Sequence, residues 1–143
     1  MRFIDAGATL VALEGLELKI RAAAYTALEG AVKDGVSSAK ESKLFKDVTG
    51  ATRASVSGSV DRSTARGIVV AGGAARWLES GTRPHRIEAK GKALAFSMNG
   101  EMMFRKVVDH PGTAARPFMQ QARDQAERSL DYYAEMFINE AVK

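Results

Sequence analysis

The sequence predicts an α+β fold with a long N-terminal helix, a small antiparallel sheet with a β-hairpin, and a C-terminal helix. Two observations carry this prediction. Apolar residues recur every three or four positions near both ends of the chain, whereas apolar and polar residues alternate in the middle. An Asn-Gly pair, Asn99-Gly100, separates two of the alternating runs. A length of 143 residues fits one domain, so residues 1–143 are expected to form a single unit.

The first helix is predicted over about residues 10–44. Its apolar stripe consists of residues three or four positions apart, which are Leu13, Leu16, Ile20, Ala24, Leu28, Val32, Val36 and Ala39. The stripe is rich in alanine, and Gly15, Gly30 and Gly35 each cost about 1 kcal/mol of helix stability relative to alanine. Because small side chains admit a close neighbour, this helix is expected to lie flat on a sheet or on another subunit.

Two strands are predicted after this helix. Thr49-Gly50 are expected to end the helix, because glycine adopts the left-handed conformation at a helix C terminus without strain. Residues 53–60 alternate and predict a strand with one covered face. After a polar turn at residues 61–65, the β-branched run at residues 67–71 predicts a second, more buried strand.

A short helix and a basic loop are predicted next. Residues 74–80 are long enough for two helical turns and carry Trp77 and Leu78. Residues 81–92 are rich in basic side chains and are predicted to form a loop.

The β-hairpin is predicted over residues 93–108. Asn-Gly between alternating runs supplies the two positive-φ positions of a type I′ turn. Pairing through this turn sets Phe96 opposite Met103 and Ala95 opposite Phe104. Both faces are then partly apolar, so the hairpin is expected to be covered on both sides, or on one side by a partner subunit.

A second loop, residues 109–116, leads to the last helix. Its Gly112-Thr113 resembles the Gly81-Thr82 pair of the first loop, although two matches this short do not make a repeat. Pro117 is expected in the first helical turn, where proline is favoured. The helix is predicted to extend to about residue 142. Its apolar stripe consists of Phe118, Ala122, Ala126, Leu130, Tyr133, Phe137 and Ala141. The opposite face is charged.

Neither a catalytic site nor a cofactor site is expected. Cysteine is absent, which excludes disulfides and thiolate ligands, and no serine lies in a Gly-x-Ser-x-Gly turn. His85 and His110 are the two histidines, too few for the usual four-ligand zinc site. No phosphate-binding glycine loop is present. We therefore expect a protein that is not an enzyme.

The chain is also not expected to associate with membranes or to be exported. No apolar run approaches the roughly 18 residues of a membrane span. Asp5 interrupts the N terminus where a signal peptide would continue its apolar stretch.

Charge is unevenly distributed along the chain. Residues 53–106 carry 10 basic and 4 acidic side chains, whereas residues 107–143 carry 4 basic and 6 acidic ones. Such a basic middle indicates either contact with nucleic acid or complementary charges that meet between identical subunits. The side chains available to phosphates are Arg62, Arg66, Arg76, Arg83, Arg86, Lys90 and Lys92. No helix-turn-helix, zinc module or aromatic platform accompanies them.

Four segments of the chain, taken in order, resemble a phage protein family. They are residues 49–56, residues 75–85, the predicted hairpin, and residues 110–119. They contain a Thr-Gly-x-x-Arg-x-Ser stretch, an aromatic and an acidic residue followed by Gly-Thr, and an Arg-Pro-Phe start to the last helix. This set resembles the lambdoid tail-component family, whose members are described as tail-completion or head–tail joining proteins. The likeness covers about residues 49–122.

The resemblance implies a structural virion protein of the phage neck or upper tail that acts as one subunit of a ring, often sixfold. It implies neighbouring connector and tail-tube or terminator proteins as partners and passing contact with genomic DNA. The implied location is the virion, and the host cytoplasm during assembly. A tail terminator ring remains an alternative within this class. A small basic nucleic-acid-binding protein is the alternative from another class.

The resemblance also implies roles for individual residues. Residues expected at a subunit interface are Glu79, Arg83, Arg86, Asn99 and Gly100. Residues expected to maintain the fold are Thr49, Gly50, Trp77, Gly81, Thr82, Gly112, Pro117 and Phe118. In particular, Trp77 and Leu78 would anchor the short helix in the core, and Glu79 and Arg83 would face a neighbour. Asn99-Gly100 would reach an adjacent subunit or ring.

Overall fold

The structure is a computed structural model that describes residues 7–143, with side chains described from Val11 onward. The expectation based on Asp5 lies outside these residues. In chain order the elements are α1 (Gly7–Glu41), α2 (Ala51–Ala54), β1 (Ser57–Asp61), β2 (Arg66–Val70), α3 (Ala75–Ser80), β3 (His85–Glu88), β4 (Leu94–Met98), β5 (Glu101–Arg105), β6 (Val107–His110) and α4 (Phe118–Ala141). This is the predicted α+β fold, with a long helix at each end and antiparallel strands between them.

α1 and α4 pack against each other in antiparallel directions. Ser129 of α4 donates a hydrogen bond of 2.7 Å to Asp34 of α1. Tyr133, one turn later on α4, meets Gly30, one turn earlier on α1, and a Cβ at this glycine would lie 2.9 Å from the tyrosine ring. Gly35 is buried in the same contact. The prediction that small residues of α1 admit a close neighbour is therefore confirmed, but at Gly30 and Gly35 this neighbour is chiefly α4 of the same chain rather than a sheet or another subunit.

α1 extends well beyond its partner helix. Its 35 residues span about 52 Å, whereas the 24 residues of α4 span about 36 Å. Leu13 is 56% exposed and Leu16 is 37% exposed. The predicted apolar stripe is therefore wrong at its N-terminal end, because α4 stops short of these residues. It is right from Leu28 onward, where Val32 is buried.

β1 and β2 form a hairpin that lies on another face of α1. A Cβ at Gly58 would lie 2.5 Å from Val32, and a Cβ at Gly67 would lie 2.6 Å from it, so glycine is what allows this approach. The polar turn predicted at residues 61–65 joins the two strands. The prediction that the second strand is the more buried one is wrong: Ile68 is 42% exposed, because the outer face of this hairpin has no cover.

The predicted junction between the first helix and the first strand is also wrong. α1 ends at Glu41 rather than at Thr49-Gly50, and the start of the predicted strand is α2. The guanidinium group of Arg53 donates hydrogen bonds to the carbonyl oxygens of Lys40, Ser42 and Phe45. The bond to Lys40 satisfies a carbonyl group that the helix C terminus leaves open, and the bonds to Ser42 and Phe45 fix the turn that follows α1.

The core lies where α1 ends and α4 begins. Phe118 is fully buried, with its ring centroid 4.7 Å from that of Phe45. Val56 and Ala75 join the same cluster, and Val69 of β2 packs against it from the sheet side. Phe118, one of the residues expected to maintain the fold, therefore holds the start of α4 against the segment that follows α1.

The remaining strands form one long two-stranded ribbon, called here the β-arm (residues 82–113). β3 pairs with β6 near its base, and β4 pairs with β5 towards its tip. Between the two ladders, residues 89–93 lie opposite the single residue Lys106; this bulged segment, a feature that typically bends a strand, is called here the bend of the arm. The strands of each ladder contact mainly each other rather than the helices.

The hairpin prediction is confirmed in its register, because Phe96 faces Met103 and Ala95 faces Phe104. The loop predicted at residues 81–92 is wrong over β3. The pairing partner of this strand, β6, returns only after the whole hairpin, so no local signal marks it.

No helix among residues 7–143 is both long enough and apolar enough to cross a membrane.

Candidate assembly surface

The two Gly-Thr pairs meet at the base of the β-arm. Thr82 and Thr113 exchange two backbone hydrogen bonds of 3.0 Å, and their hydroxyl oxygens lie 2.9 Å apart. Gly81 and Gly112 have φ values of +69° and +86°, and a Cβ on either would collide with the backbone of the opposite segment. The likeness between the two loops therefore reflects a matched, closely packed junction at which the arm leaves the body.

The two histidines stack next to this junction. The ring centroids of His85 and His110 lie 5.1 Å apart. His85 Nδ1 donates to the carbonyl oxygen of Arg83 at 2.8 Å, and His110 Nδ1 accepts from the Gly112 N–H at 3.0 Å. Both Nδ1 atoms are thus engaged by the backbone. Among residues 7–143, no group of three or more side chains is arranged to hold a metal ion.

Glu79 connects α3 to the first turn of α4. Its carboxylate accepts hydrogen bonds from the backbone N–H groups of Met119 and Gln120, at 2.9 and 3.0 Å. These N–H groups have no partner within the helix, and a negative charge near a helix N terminus is favourable. Pro117 is the residue before the first helical turn rather than a member of it. Glu79 therefore has a role within its own chain that the sequence did not indicate.

Trp77 does not anchor α3. Ala75 is buried and Leu78 packs against the core, whereas Trp77, on the other side of this short helix, is 58% exposed. The prediction is right for Leu78 and wrong for Trp77.

Thr49 and Gly50 form the turn that opens α2. Gly50 has a φ of +74° and donates its N–H to Asp47 at 3.0 Å, and Thr49 accepts a hydrogen bond from the Ala51 N–H. Asp47 also accepts the Arg53 N–H at 2.7 Å. The positive φ expected at Gly50 is present, but it begins a helix instead of ending one.

The polar residues expected at an interface are exposed along the β-arm. Arg83 is exposed at its base, and Arg86 forms a 3.1 Å ion pair with Asp109 across the ribbon. Such an exposed pair contributes at most about 1 kcal/mol. Asn99 and Gly100 form the tip, with φ values of +55° and +85°, as the type I′ prediction requires.

Large apolar side chains of the β-arm are exposed in the single chain. Phe104 is 62% exposed, Met102 is 61% exposed and Met98 is 53% exposed. Phe104 and Met102 share one face of the ribbon, since alternate residues of a strand point the same way. An isolated two-stranded ribbon is marginally stable in water, and here its Phe104 and Met102 face has no cover from the rest of the described chain.

Basic side chains gather at the bend of the arm. Lys90 and Lys92 lie in the inserted segment, Lys106 lies opposite it, and Arg105 follows at the first pair of the β4–β5 ladder; all four residues are exposed. Across the described part of the chain, no ion pair includes any of them.

The described residues outside the β-arm, called here the helical body, carry an open apolar groove. Its volume is about 790 Å³, and it lies between α1, β2 and α4, with Leu28, Ile68 and Leu130 among its lining residues. At its rim Arg123 and Glu127 form an ion pair of 2.8 Å, and this carboxylate raises the pKa of the Arg123 guanidinium. The remaining carboxylates on the outer face of α4 continue from this rim.

Sequence reasoning did not find Arg53 as a helix cap, Glu79 as the link between α3 and α4, or β3 as a strand. The Arg53 position was visible in the Thr-Gly-x-x-Arg-x-Ser stretch, but its partners are backbone carbonyls that no side-chain pattern reveals.

Comparison with protein-family models, curated proteins and solved structures finds no match to this chain.

Proposed function

We propose that this chain is a non-enzymatic structural subunit of a phage neck or upper tail, and that it assembles into a closed ring with copies of itself. The observation that carries the proposal is the β-arm, whose Met102 and Phe104 face has no cover in the single chain. Apolar residues presented on a projecting ribbon are suited to assembly.

The segments that resemble the tail-component family support this reading, because three of the four form the arm or its base, while residues 49–56 contribute to the core beside the end of α1. Arg53 fixes the turn after α1, and Glu79 fixes α4 relative to α3. Gly81 and Gly112 form the junction at the arm base. The segments that resemble the family therefore include both core residues and the base from which the exposed ribbon projects.

A ring of identical copies requires two different surfaces on each subunit, because one surface of each subunit contacts the other surface of its neighbour all the way round the ring. The β-arm and the helical body are two such surfaces. In the assembled virion the partners would be the adjacent connector and the tail tube or terminator, and genomic DNA would pass through the ring.

Electron microscopy of lysates from the phage without this gene tests the proposal. Filled heads beside separate tails of normal length are the expected result, and a plasmid-borne copy of the gene should restore joined virions. Overlong or irregular tails would instead assign the chain to the terminator ring. Normal infectious virions would contradict the structural role altogether.

The four unpaired basic residues at the arm bend favour one alternative from another class, nucleic-acid binding. In a plot of the logarithm of the DNA association constant against the logarithm of the salt concentration, each phosphate contact makes the slope more negative by about 0.9. DNA binding that remains tight at physiological salt, with no ring formation, would support this alternative.

A further inference from the structure

We propose that the β-arm of one copy docks on the helical body of a second copy. The Met102 and Phe104 face would enter the groove between β2 and α4, and the basic bend would lie along the outer face of α4. The inference deepens the proposed function and rests on it, because it names the two surfaces through which copies would join.

The apolar parts of the two surfaces match in character. Phe104 and Met102 are more than half exposed on the arm. The groove, with Leu28, Ala126 and Leu130 in its lining, has a volume of about 790 Å³. A space of this order accommodates several large side chains, since pockets of about 300–1,000 Å³ enclose ligands of drug size.

The charged parts of the two surfaces are opposite in sign. The arm, residues 82–113, carries 6 basic and 3 acidic side chains. α4, residues 118–141, carries 2 basic and 5 acidic ones. Four of these carboxylates follow one another at helical spacings of three and four and share one face; they are Asp124, Glu127, Asp131 and Glu135. That face is opposite to the buried Ala122 and Ser129, so it points away from α1.

These complementary surfaces do not pair within one chain. The arm leaves the body at the start of α4, and its strands contact mainly each other. Lys90, Lys92, Arg105 and Lys106 take part in no ion pair anywhere in residues 7–143. A surface that meets a different surface on the next copy makes a heterologous contact, which closes into a ring when the rotation between copies permits. A second copy is therefore the occupant that both the apolar and the charged features fit.

A charge-swap experiment on the full-length chain tests the proposal. The arm variant carries Lys90→Glu, Lys92→Glu and Lys106→Glu, and the helix variant carries Asp124→Lys, Asp131→Lys and Glu135→Lys. Glu127 is kept because it pairs with Arg123. The molar mass of each protein is measured by light scattering over a concentration series reaching the millimolar range.

Each variant alone should associate at least about tenfold more weakly than the wild type, because like charges meet at the contact. An equimolar mixture should recover association, since each arm then finds an α4 of opposite charge. A chain that carries both sets of substitutions should also recover it. Recovery excludes misfolding as the reason for the loss. The matched control Lys33→Glu, Lys40→Glu, Lys43→Glu changes the net charge equally on exposed positions outside the arm and should associate like the wild type.

Several outcomes would overturn the inference. They are a wild-type chain that stays monomeric at millimolar concentration, variants that associate normally, or losses that the mixture and the combined variant fail to restore. A short DNA duplex is the additional probe: if the arm variant loses DNA binding while its association is unchanged, the bend is a nucleic-acid surface. If the charge swap fails and the gene-deletion lysate contains separate heads and tails, the docking surfaces are rejected and the proposed function stands.

If the charge swap restores association but the lysate contains normal virions, the proposed function is rejected and the docking surfaces stand.

Discussion

Single residues of the same type have very different roles in this chain, depending on what surrounds them. Phe118 is fully buried against Phe45, whereas Phe104 is 62% exposed on the arm. The sequence pattern assigned an apolar partner to both residues. The fold supplies that partner within the chain only for Phe118, so the two phenylalanines should separate stability from assembly.

Phe118→Ala should lower the free energy of unfolding by about 3–5 kcal/mol, because it empties a packed site in the core. Phe104→Ala should change it by no more than about 0.5 kcal/mol, since an exposed side chain loses little. Urea denaturation at a concentration where the chain is monomeric measures both. Equal losses in the two variants would mean that the arm packs on the body in solution.

Asp61 should stabilise the β1–β2 turn except in strong acid. Hydrogen bonds from the Ser63 and Thr64 hydroxyl groups lower the pKa of its carboxyl group from 3.8 to about 2. A carboxyl group whose pKa is lowered by folding contributes stability above its unfolded pKa, and this contribution disappears as the pH falls from 3.8 to about 2. The difference in unfolding free energy between the wild type and Asp61→Asn should therefore shrink across that range. A carboxyl titration midpoint near 4 in an NMR experiment would contradict the prediction.

At the scale of elements, local signals were sufficient for some parts and not for others. The register of β4 and β5 could be predicted because Asn99-Gly100 determines it within a few residues. β3 could not be predicted, because the whole hairpin separates it from β6. The role of Glu79 was missed for the same reason, since its partners lie 40 and 41 residues along the chain. The type of each long element could be read from periodicity, whereas its ends depended on contacts made by distant residues such as Arg53.

Glu79→Ala should destabilise the chain by about 1 kcal/mol, the usual effect of removing a side-chain acceptor at a helix N terminus. The loss should appear in thermal or urea unfolding, with the start of α4 exchanging its amide hydrogens faster. Glu101→Ala, at an exposed carboxylate near the arm tip, is the matched control and should leave stability unchanged. Equal stability of the two variants would argue against the cap.

Gly112→Ala should disrupt the base of the arm. At a φ of +86° an alanine is strained by about 1–2 kcal/mol, and its Cβ would also collide with the backbone at Thr82. Gly100→Ala has a similar φ of +85° but open space around it, so it should show the strain alone. A larger stability loss in Gly112→Ala, with altered Thr82 and Thr113 amide resonances, is the expected result. Indistinguishable effects would show that the junction is loose.

The whole molecule combines a packed centre with two unsupported extensions. The core gathers where α1 ends and α4 begins, whereas the first part of α1 and the outer β-arm have few neighbours. General patterns of charge and hydropathy indicated surfaces of this kind, but they could not show where the surfaces lie relative to each other. Which residues face solvent depends on the difference in length between α1 and α4, and no single segment encodes that difference.

Hydrogen exchange should reveal this division in the monomer. Amides of residues 27–39 in α1 should be the most protected, because they lie in the contact with α4 and the β1–β2 hairpin. Amides of residues 11–19, whose side chains are exposed, and those of β4 and β5 should exchange much faster. Assembly should slow exchange in the arm. Uniform protection in the monomer would contradict the division.

The bend in the β-arm has one practical consequence. Residues 89–93 are accommodated opposite a single residue, so the chain already tolerates surplus length at this point while both ladders keep their pairing. Additional residues next to Gly91 would enlarge a loop that is already exposed to solvent. Exposed loops of this kind accept insertions readily. A bulky tag grafted at the bend should therefore leave the fold of the single chain intact, and it should at the same time obstruct the contact that the arm is proposed to make with α4.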